Sequence, residues 1–548
     1  MSSPATDFQV SGNLIDIHER RIVPVTVSVQ NGRIAGIAEE PHASYDTFLA
    51  PGFVDAHIHI ESSMLPPSEF SRLATPHGTV ATVSDPHEIA NVLGVAGVEW
   101  MLADAAFAAV KIHFGAPSCV PATPFDHAGA ELGVAETEQL LARRDIHYFS
   151  EMMDYPGVVA GRDFVLAKLA AARAAGKPID GHAPGLRGRD LATYVAAGIV
   201  TDHECFTLDE AREKQSLGMK ILIREGSAAK NFAALWPLLR EVPAACMFCS
   251  DDKHPNDLIE GHIDALVRRA LAHGVDLFDV WRTASLHPVE HYRMNVGLLR
   301  PGDPADFLEV TSPTQPWVRR TWIDGRLVAR EGVSLLPRRI VQPVNRFTAS
   351  SKRPEDFALP AVGPQARIIE ALDGQLITGE CVRPVRQHGG LVVTDIDDDV
   401  LKIAVVDRFR NVPPAVALIR NFGLRSGAIA ESVSHDSHHI VAVGVADEDL
   451  ARSVKAVIDV GGGLSVATPT AVTVLPLPIA GLMSDADGCH VAAEYARLDA
   501  QAKALGSRLT APFMTLSFMA LLVIPKLKLS VDGLFDVVQF RHVGLWDV

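Results

Sequence analysis

Residues 53–60 alternate in polarity and are rich in β-branched side chains, a pattern typical of a buried strand. The segment contains His57 and His59, and side chains two positions apart point to the same face of a strand. Imidazole nitrogens that project together can bind one metal ion. A His-x-His pair alone is more often incidental, but this one follows the sequence PGFVD and precedes a polar loop. We therefore interpret the pair as part of a metal site.

Strand-like segments alternate with helical patterns over roughly 250 residues, an arrangement that predicts an α/β fold, specifically a (β/α)8 barrel. In that fold the catalytic residues lie at the C-terminal ends of the strands. The eight segments are residues 53–60, 79–85, 109–115, 147–152, 178–182, 198–203, 219–225 and 244–250.

Ionisable side chains occur at the ends of five of these segments, and they form the predicted metal-ligand set: His57, His59, Glu151, His182, His203 and Asp251. Four imidazoles and two carboxylates at one end of a barrel can hold two divalent ions, with Glu151 as a bridge. Each residue alone could instead make a structural hydrogen bond or a salt bridge. We prefer Asp251 to Asp252 as the ligand because Asp251 comes first after its strand. Histidine and carboxylate ligands suit Mn, Fe and Zn alike.

Further polar residues beside these strand ends could orient a substrate or support the ligands. They are Glu61, Asp85, His87, Glu88, Glu204, Arg224 and Ser227. For the four that follow the first and second strands, a salt bridge or a helix cap is an equally good interpretation. Arg224 and Ser227 are candidates for contact with a bound ring.

The remaining sequence predicts two further units beside a barrel at residues 51–304. Alternating runs with turns at Asn31-Gly32 and Asp324-Gly325 predict that residues 1–50 and 305–345 pair into a small β-sandwich. Residues 350–548 predict a C-terminal α+β domain. Within it, the His-rich segment 434–439 is more typical of a solvated loop than of a second metal site, although it could also cover the pocket. The apolar stretch 511–525 is expected to be a core element.

The composition, with 48% hydrophobic and 21% charged residues, is typical of a soluble globular protein. A net charge of −16 argues against binding to nucleic acid or to an anionic membrane surface. Six cysteines without a C-x-x-C pair predict neither a disulfide framework nor a zinc knuckle. Because neither a secretory signal nor a membrane span is visible, we expect a cytoplasmic protein. We also expect a homo-oligomer, with a dimer as its simplest form.

The ligand pattern resembles that of the amidohydrolase superfamily, and longer stretches resemble the bacterial adenine deaminases. Those stretches are residues 51–64, 78–91, 117–122, 151–158, 434–438, 475–485 and 512–518. The resemblance covers most of the chain and implies hydrolytic deamination of free adenine to hypoxanthine and ammonia by a two-metal centre, a reaction of purine salvage. A cyclic amide hydrolase of the same superfamily is the alternative, although the matches in the last domain argue against it. A metal-free scaffold would be expected to lose ligands.

Deamination of a purine also needs a group that moves protons, and Asp251 is the predicted catalytic residue. Single-metal deaminases of this superfamily have a glutamate three residues after the histidine of the fifth strand. Here that position is Gly185, which has no side chain to donate a proton. We therefore predict that Asp251 carries both proton transfers, with Glu204 as the alternative acid.

Overall fold

The computed structural model describes residues 7–547 and begins with a group of four strands. They are β1 (Phe8–Asp16), β2 (Arg21–Gln30), β3 (Arg33–Glu39) and β4 (Phe48–Pro51). β2 and β3 form a hairpin, and its turn residues Asn31 and Gly32 have φ angles of 51° and 76°. Positive φ at both central positions is what a type I′ turn requires, and Asn-Gly adopts it readily.

Eight parallel strands follow and curl into a closed ring in chain order. They are β5 (Phe53–Ile58), β6 (Thr79–Ser84), β7 (Lys111–Ala116), β8 (Ile146–Met152), β9 (Ile179–Gly181), β10 (Thr201–Asp202), β11 (Lys220–Arg224) and β12 (Cys246–Cys249). β5 to β9 form one hydrogen-bonded sheet and β10 to β12 another. The N–H of Val200 donates to the carbonyl of Ile179 at 3.0 Å, and the N–H of Asp251 donates to the carbonyl of His57 at 2.9 Å. These two contacts close the ring. Each segment predicted as a strand overlaps one of the eight.

Helices lie between and after these strands. They are α1 (Pro67–Ala74), α2 (His87–Leu93), α3 (Val95–Ala105), α4 (Val134–Leu141), α5 (Tyr155–Val159), α6 (Asp163–Ala174), α7 (Gly188–Ala196), α8 (Leu208–Ser216), α9 (Phe232–Leu235), α10 (Leu238–Glu241), α11 (Pro255–Glu260), α12 (Ile263–Ala272), α13 (Leu277–Thr283) and α14 (Leu286–His291). Every residue of β5 and β6 is buried, as expected when helices cover the outside of a barrel and side chains fill its interior. No helix between residues 7 and 547 combines the length and the apolar composition needed to cross a bilayer.

The chain then returns to the N-terminal strands with β13 (Phe307–Val310), β14 (Val318–Ile323), β15 (Arg326–Arg330) and β16 (Val333–Ser334). β4 pairs with β1 on one side and with β13 on the other, so the order is β16-β15-β14-β13-β4-β1-β2-β3. The strands of the two flanks therefore belong to one hydrogen-bonded sheet of eight strands. Trp322 lies in the core of this sheet, stacked on Phe307 with ring centres 4.6 Å apart.

The C-terminal region combines a large sheet with three helices. Its elements are β17 (Gln365–Ala371), β18 (Thr378–Pro384), β19 (Gln387–His388), β20 (Leu391–Val392), β21 (Val400–Val406), β22 (Ala415–Arg420), β23 (Ala428–Glu431), β24 (Ile440–Gly444), α15 (Asp447–Asp459), β25 (Gly463–Ala467), β26 (Val472–Pro476), α16 (Gly488–Ala504), α17 (Pro512–Ser517), β27 (Leu527–Ser530), β28 (Gly533–Asp536) and β29 (Arg541–His542). The large sheet has the order β18-β17-β22-β21-β24-β23-β25-β26, and α15 packs on its central strands. α16 packs on α1 and α11, which joins this region to the barrel.

We expect Trp322→Ala to lower the free energy of unfolding by about 3–5 kcal/mol, because it removes a large aromatic side chain from the core of the joined sheet. Urea denaturation followed by circular dichroism measures the loss. Trp317→Ala is the matched control, since Trp317 is 60% exposed. Equal losses in the two variants would contradict a core role for Trp322.

Candidate metal centre

His57, His59 and Asp251 come together where β5 lies beside the end of β12. An Asp251 oxygen is 3.5 Å from Nε2 of His57 and 3.1 Å from Nε2 of His59. Nδ1 of His59 lies 3.1 Å from the carbonyl of Asp85, to which it can donate, so Nε2 is left to face Asp251. Asp251 has a φ of 54°, a conformation that non-glycine residues adopt rarely and often at functional sites. Asp252 instead accepts a hydrogen bond from the hydroxyl of Ser62 at 2.6 Å.

Glu151, near the end of β8, lies in the middle of the cluster. One carboxylate oxygen is 3.2 Å from Nε2 of His59 and 3.9 Å from Nε2 of His57. The other is 2.8 Å from Nδ1 of His182 and 3.1 Å from Nε2 of His203. Burial raises the pKa of this carboxyl group, but the neighbouring His182 and His203 more than offset that effect and hold the pKa well below its usual range. Each oxygen thus faces a different pair of histidines, as a bridging ligand must.

Several buried ring nitrogens in this cluster make no hydrogen bond of good geometry among residues 7–547, although carboxylate oxygens lie near some of them. They are both nitrogens of His57 and Nε2 of His182 and of His203. A buried polar atom without a partner is costly and rare. The ligand atoms of His57, His59 and Asp251 lie within 4.8 Å of one another, as do those of His57, Glu151 and His203. These residues therefore fit divalent cations, which would use the free nitrogens and offset the carboxylate charges.

Asp85 and His87 lie directly beside the cluster. Nδ1 of His87 is 3.0 Å from an Asp85 carboxylate oxygen and 3.6 Å from Glu151. Glu61 is buried but does not line the cavity above the cluster. One of its oxygens accepts a hydrogen bond from the N–H of Ile89 in α2 at 3.3 Å, and burial raises the pKa of its carboxyl group to about 7. Glu61 therefore supports the loop rather than the pocket.

Arg224, at the end of β11, is a buried cation that pairs with both Glu204 and Asp251. Burial raises the pKa of Asp251, but Arg224 and the two neighbouring histidines of β5 outweigh burial and hold the pKa well below its usual range. Arg224 and Glu204 both line the cavity.

Ser227 stays only a predicted contact for a bound ring, because the structure engages its side chain elsewhere. Its hydroxyl donates to the carboxylate of Asp257 and accepts the N–H of His254 at 2.9 Å. Ser227 is thus used to hold the loop before α11, and it does not line the cavity.

The His-rich segment 434–439 reaches from the C-terminal region to the end of the barrel, and all six of its residues are buried. Nδ1 of His435 contacts one oxygen of Glu88, and Nε2 of His438 contacts the other. Burial lowers the pKa of His435, but Glu88 outweighs burial and raises it to about 9. The prediction of a solvated loop is therefore wrong, and the alternative of a cover over the pocket describes the segment correctly.

A cavity lies above the ligand cluster and has two kinds of lining. The barrel contributes mostly charged and imidazole groups, whereas four of the five apolar residues come from the C-terminal region. The five are Met153, Leu376, Phe518, Leu521 and Ile524. Sequence analysis missed them as site residues, although the stretch 512–518 was among those that carried the family resemblance.

Comparison with known proteins agrees with this geometry. Residues 48–328 match the amidohydrolase family, and residues 375–541 match the adenine deaminase C-terminal domain. A protein from Salinibacter ruber named adenine deaminase is 57% identical, with 98% of each chain covered. Proteins of the same name from a Sulfurovum species and from Methanosarcina mazei are 54% and 49% identical, each over 98% of this chain and 99% of the relative. The chain belongs to the adenine deaminase family of amidohydrolases.

Proposed function

We propose that this protein hydrolyses adenine to hypoxanthine and ammonia at the cluster around Glu151. The observation that carries the proposal is that six candidate ligands at the barrel end lie beneath a C-terminal domain of the adenine deaminase type. Near full-length identity to proteins named adenine deaminase supports the same substrate. The C-terminal match does not favour the cyclic amide hydrolase that the sequence left open.

His57, His59 and Asp251 would hold one divalent ion, and His182 and His203 would hold a second, with an oxygen of Glu151 available to each. Divalent ions, when bound, lower the pKa of water so that hydroxide is available near neutral pH to add to C6 of the purine. The buried ring nitrogens that make no hydrogen bond of good geometry support this assignment. Nitrogen and carboxylate donors accept Mn, Fe and Zn.

Asp251 is the proposed proton carrier. Addition of hydroxide at C6 requires a proton on the ring nitrogen, and breaking the C6–N bond requires another on the departing amine. The carboxylate of Asp251 lies beside His57 and His59 and faces the cavity, so it can accept and return a proton there. Gly185 offers no acid, because it has no side chain. Its backbone N–H donates a hydrogen bond to the carboxylate of Glu210 at 2.9 Å.

The same proposal extends to the domain layout. We infer three units: residues 1–50 with 305–345, residues 51–304, and residues 350–548. The continuous sheet between the two flanks supports the first unit, and the closed ring of strands supports the second.

Adenine should release ammonia, with adenosine poorer by roughly 100-fold or more in kcat/KM, because the hydroxyl groups of a ribose would lose water against the apolar lining of the cavity. A coupled ammonia assay on metal-replete enzyme measures both rates. Similar turnover of the two substrates, or no turnover of adenine, would refute the proposed substrate.

Two equivalents of divalent metal per chain are expected by elemental analysis after reconstitution, and Glu151→Gln should lose at least one because the bridge is weakened. His435→Ala is the matched control, since His435 is a buried histidine beside the same cavity but outside the ligand set. Full activity at one equivalent, or an empty centre in His435→Ala, would show that the ligands are assigned wrongly.

Asp251→Asn should lower kcat by about 10²–10⁴-fold, the usual contribution of a positioned acid–base group, while most of the metal is retained. Steady-state kinetics and metal content are measured on the same samples. A rate near that of the wild type would overturn the role of Asp251. A comparable collapse in Glu204→Gln with its metals intact would transfer the ring acid to Glu204.

A further inference from the structure

We infer that the C-terminal domain provides the surface against which the purine packs, with Phe518 at its centre, and that this surface excludes substituents on N9. The inference rests on the proposed function and deepens it, since it assigns substrate specificity to residues outside the barrel.

The apolar side of the cavity has the chemistry that a flat aromatic base needs. Leu376, Phe518, Leu521 and Ile524 are all buried, and they belong to one hydrophobic cluster that the C-terminal region forms with Ala228 of the barrel. Met153, from the loop after β8, is the one apolar contribution of the barrel to the lining. Binding pockets combine such apolar surfaces with a few polar groups that fix orientation.

Phe518 is held in a defined orientation. Its ring is stacked on the imidazole of His435, with ring centres 4.5 Å apart and planes 11° apart. His435 is fixed in turn by its contact with Glu88. The phenyl ring is therefore part of a packed column that runs from the cavity wall into the barrel loop.

Lys528 fixes the backbone of the same wall. Its side chain is fully buried, and Nζ donates hydrogen bonds to the carbonyl of Leu376 at 2.8 Å and to that of Phe518 at 2.9 Å. One amino group thus joins two segments that are far apart in sequence and that both line the cavity. Lys528 is a positioning residue, because it acts on the wall through these two carbonyls.

The direction of the purine follows from its own chemistry. C6 must face the ligand cluster, so N9, at the opposite end of the bicyclic ring, points away from the cluster and towards the C-terminal domain. A ribose on N9 would place its hydroxyl groups against apolar side chains. Burying hydroxyl groups without partners costs free energy, so the wall selects the free base.

The experiment compares Phe518→Ala, Phe518→Leu and Lys528→Met with the wild type, using adenine, 9-methyladenine and adenosine. Phe518→Ala should raise KM for adenine by about 10- to 100-fold, the effect expected when a base loses an aromatic partner. It should also reduce the preference for adenine over 9-methyladenine, measured as the ratio of their kcat/KM values, while metal content stays at the wild-type value. Phe518→Leu and Lys528→Met should also raise KM for adenine and reduce this preference, but by smaller factors.

Phe164→Ala is the matched control, because Phe164 is 52% exposed and lies outside this cavity. Unchanged KM and unchanged selectivity in metal-replete Phe518→Ala would overturn the inference. If Phe518→Ala does not fold, unchanged values in Phe518→Leu and Lys528→Met would overturn it equally. A wild-type enzyme inactive on adenine would refute the proposed function instead, so the two failures are distinguishable.

Discussion

The arrangement of this chain depends on the interaction between the buried carboxylate of Glu151 and the four imidazole rings that surround it. A buried charge without compensation costs several kcal/mol, so its partners have to be present and correctly placed. They come from three strand ends: His57 and His59 from β5, His182 after β9 and His203 after β10. A closed ring of parallel strands provides this placement because it brings every C-terminal strand end to one rim.

A second balance of charge operates next to this cluster. Glu204 and Asp251 both pair with the buried guanidinium group of Arg224. Two carboxylates this close would repel each other if the cation were absent. Arg224 thus offsets the repulsion between two acids at the edge of one pocket, whereas its contact with a bound ring stays a prediction.

The sequence predicted the barrel and the position of its candidate ligands well, because both follow from local rules. The two-residue period of a strand places His57 and His59 together. The other four candidate ligands follow other strands, whose C-terminal ends lie at the same rim of the barrel. The role of segment 434–439 could not be predicted in the same way, because its polar residues have a partner, Glu88, that lies 347 positions from His435. The orientation of Ser227 could not be predicted either, because a hydroxyl just after a strand can turn either towards the pocket or into its own loop. The apolar wall was not predicted as part of the site, since residues that line a cavity and residues that fill a core have the same composition.

The contact between Glu88 and the two histidines links the barrel to the C-terminal domain. Burial raises the pKa of Glu88, but His435 and His438 more than offset it and hold the pKa well below the usual range. Without the C-terminal domain, this carboxylate would lose both partners and the apolar side of the cavity would be open to water. Water would then hydrate the carboxylate in place of the histidines, but it would also occupy the space that a purine needs. One segment of the domain therefore has two roles, because His435 pairs with Glu88 of the barrel and also stacks on the ring of Phe518. The pairing of the Glu88 charge and the position of the Phe518 ring are consequently coupled. A change at His435 would alter both of them.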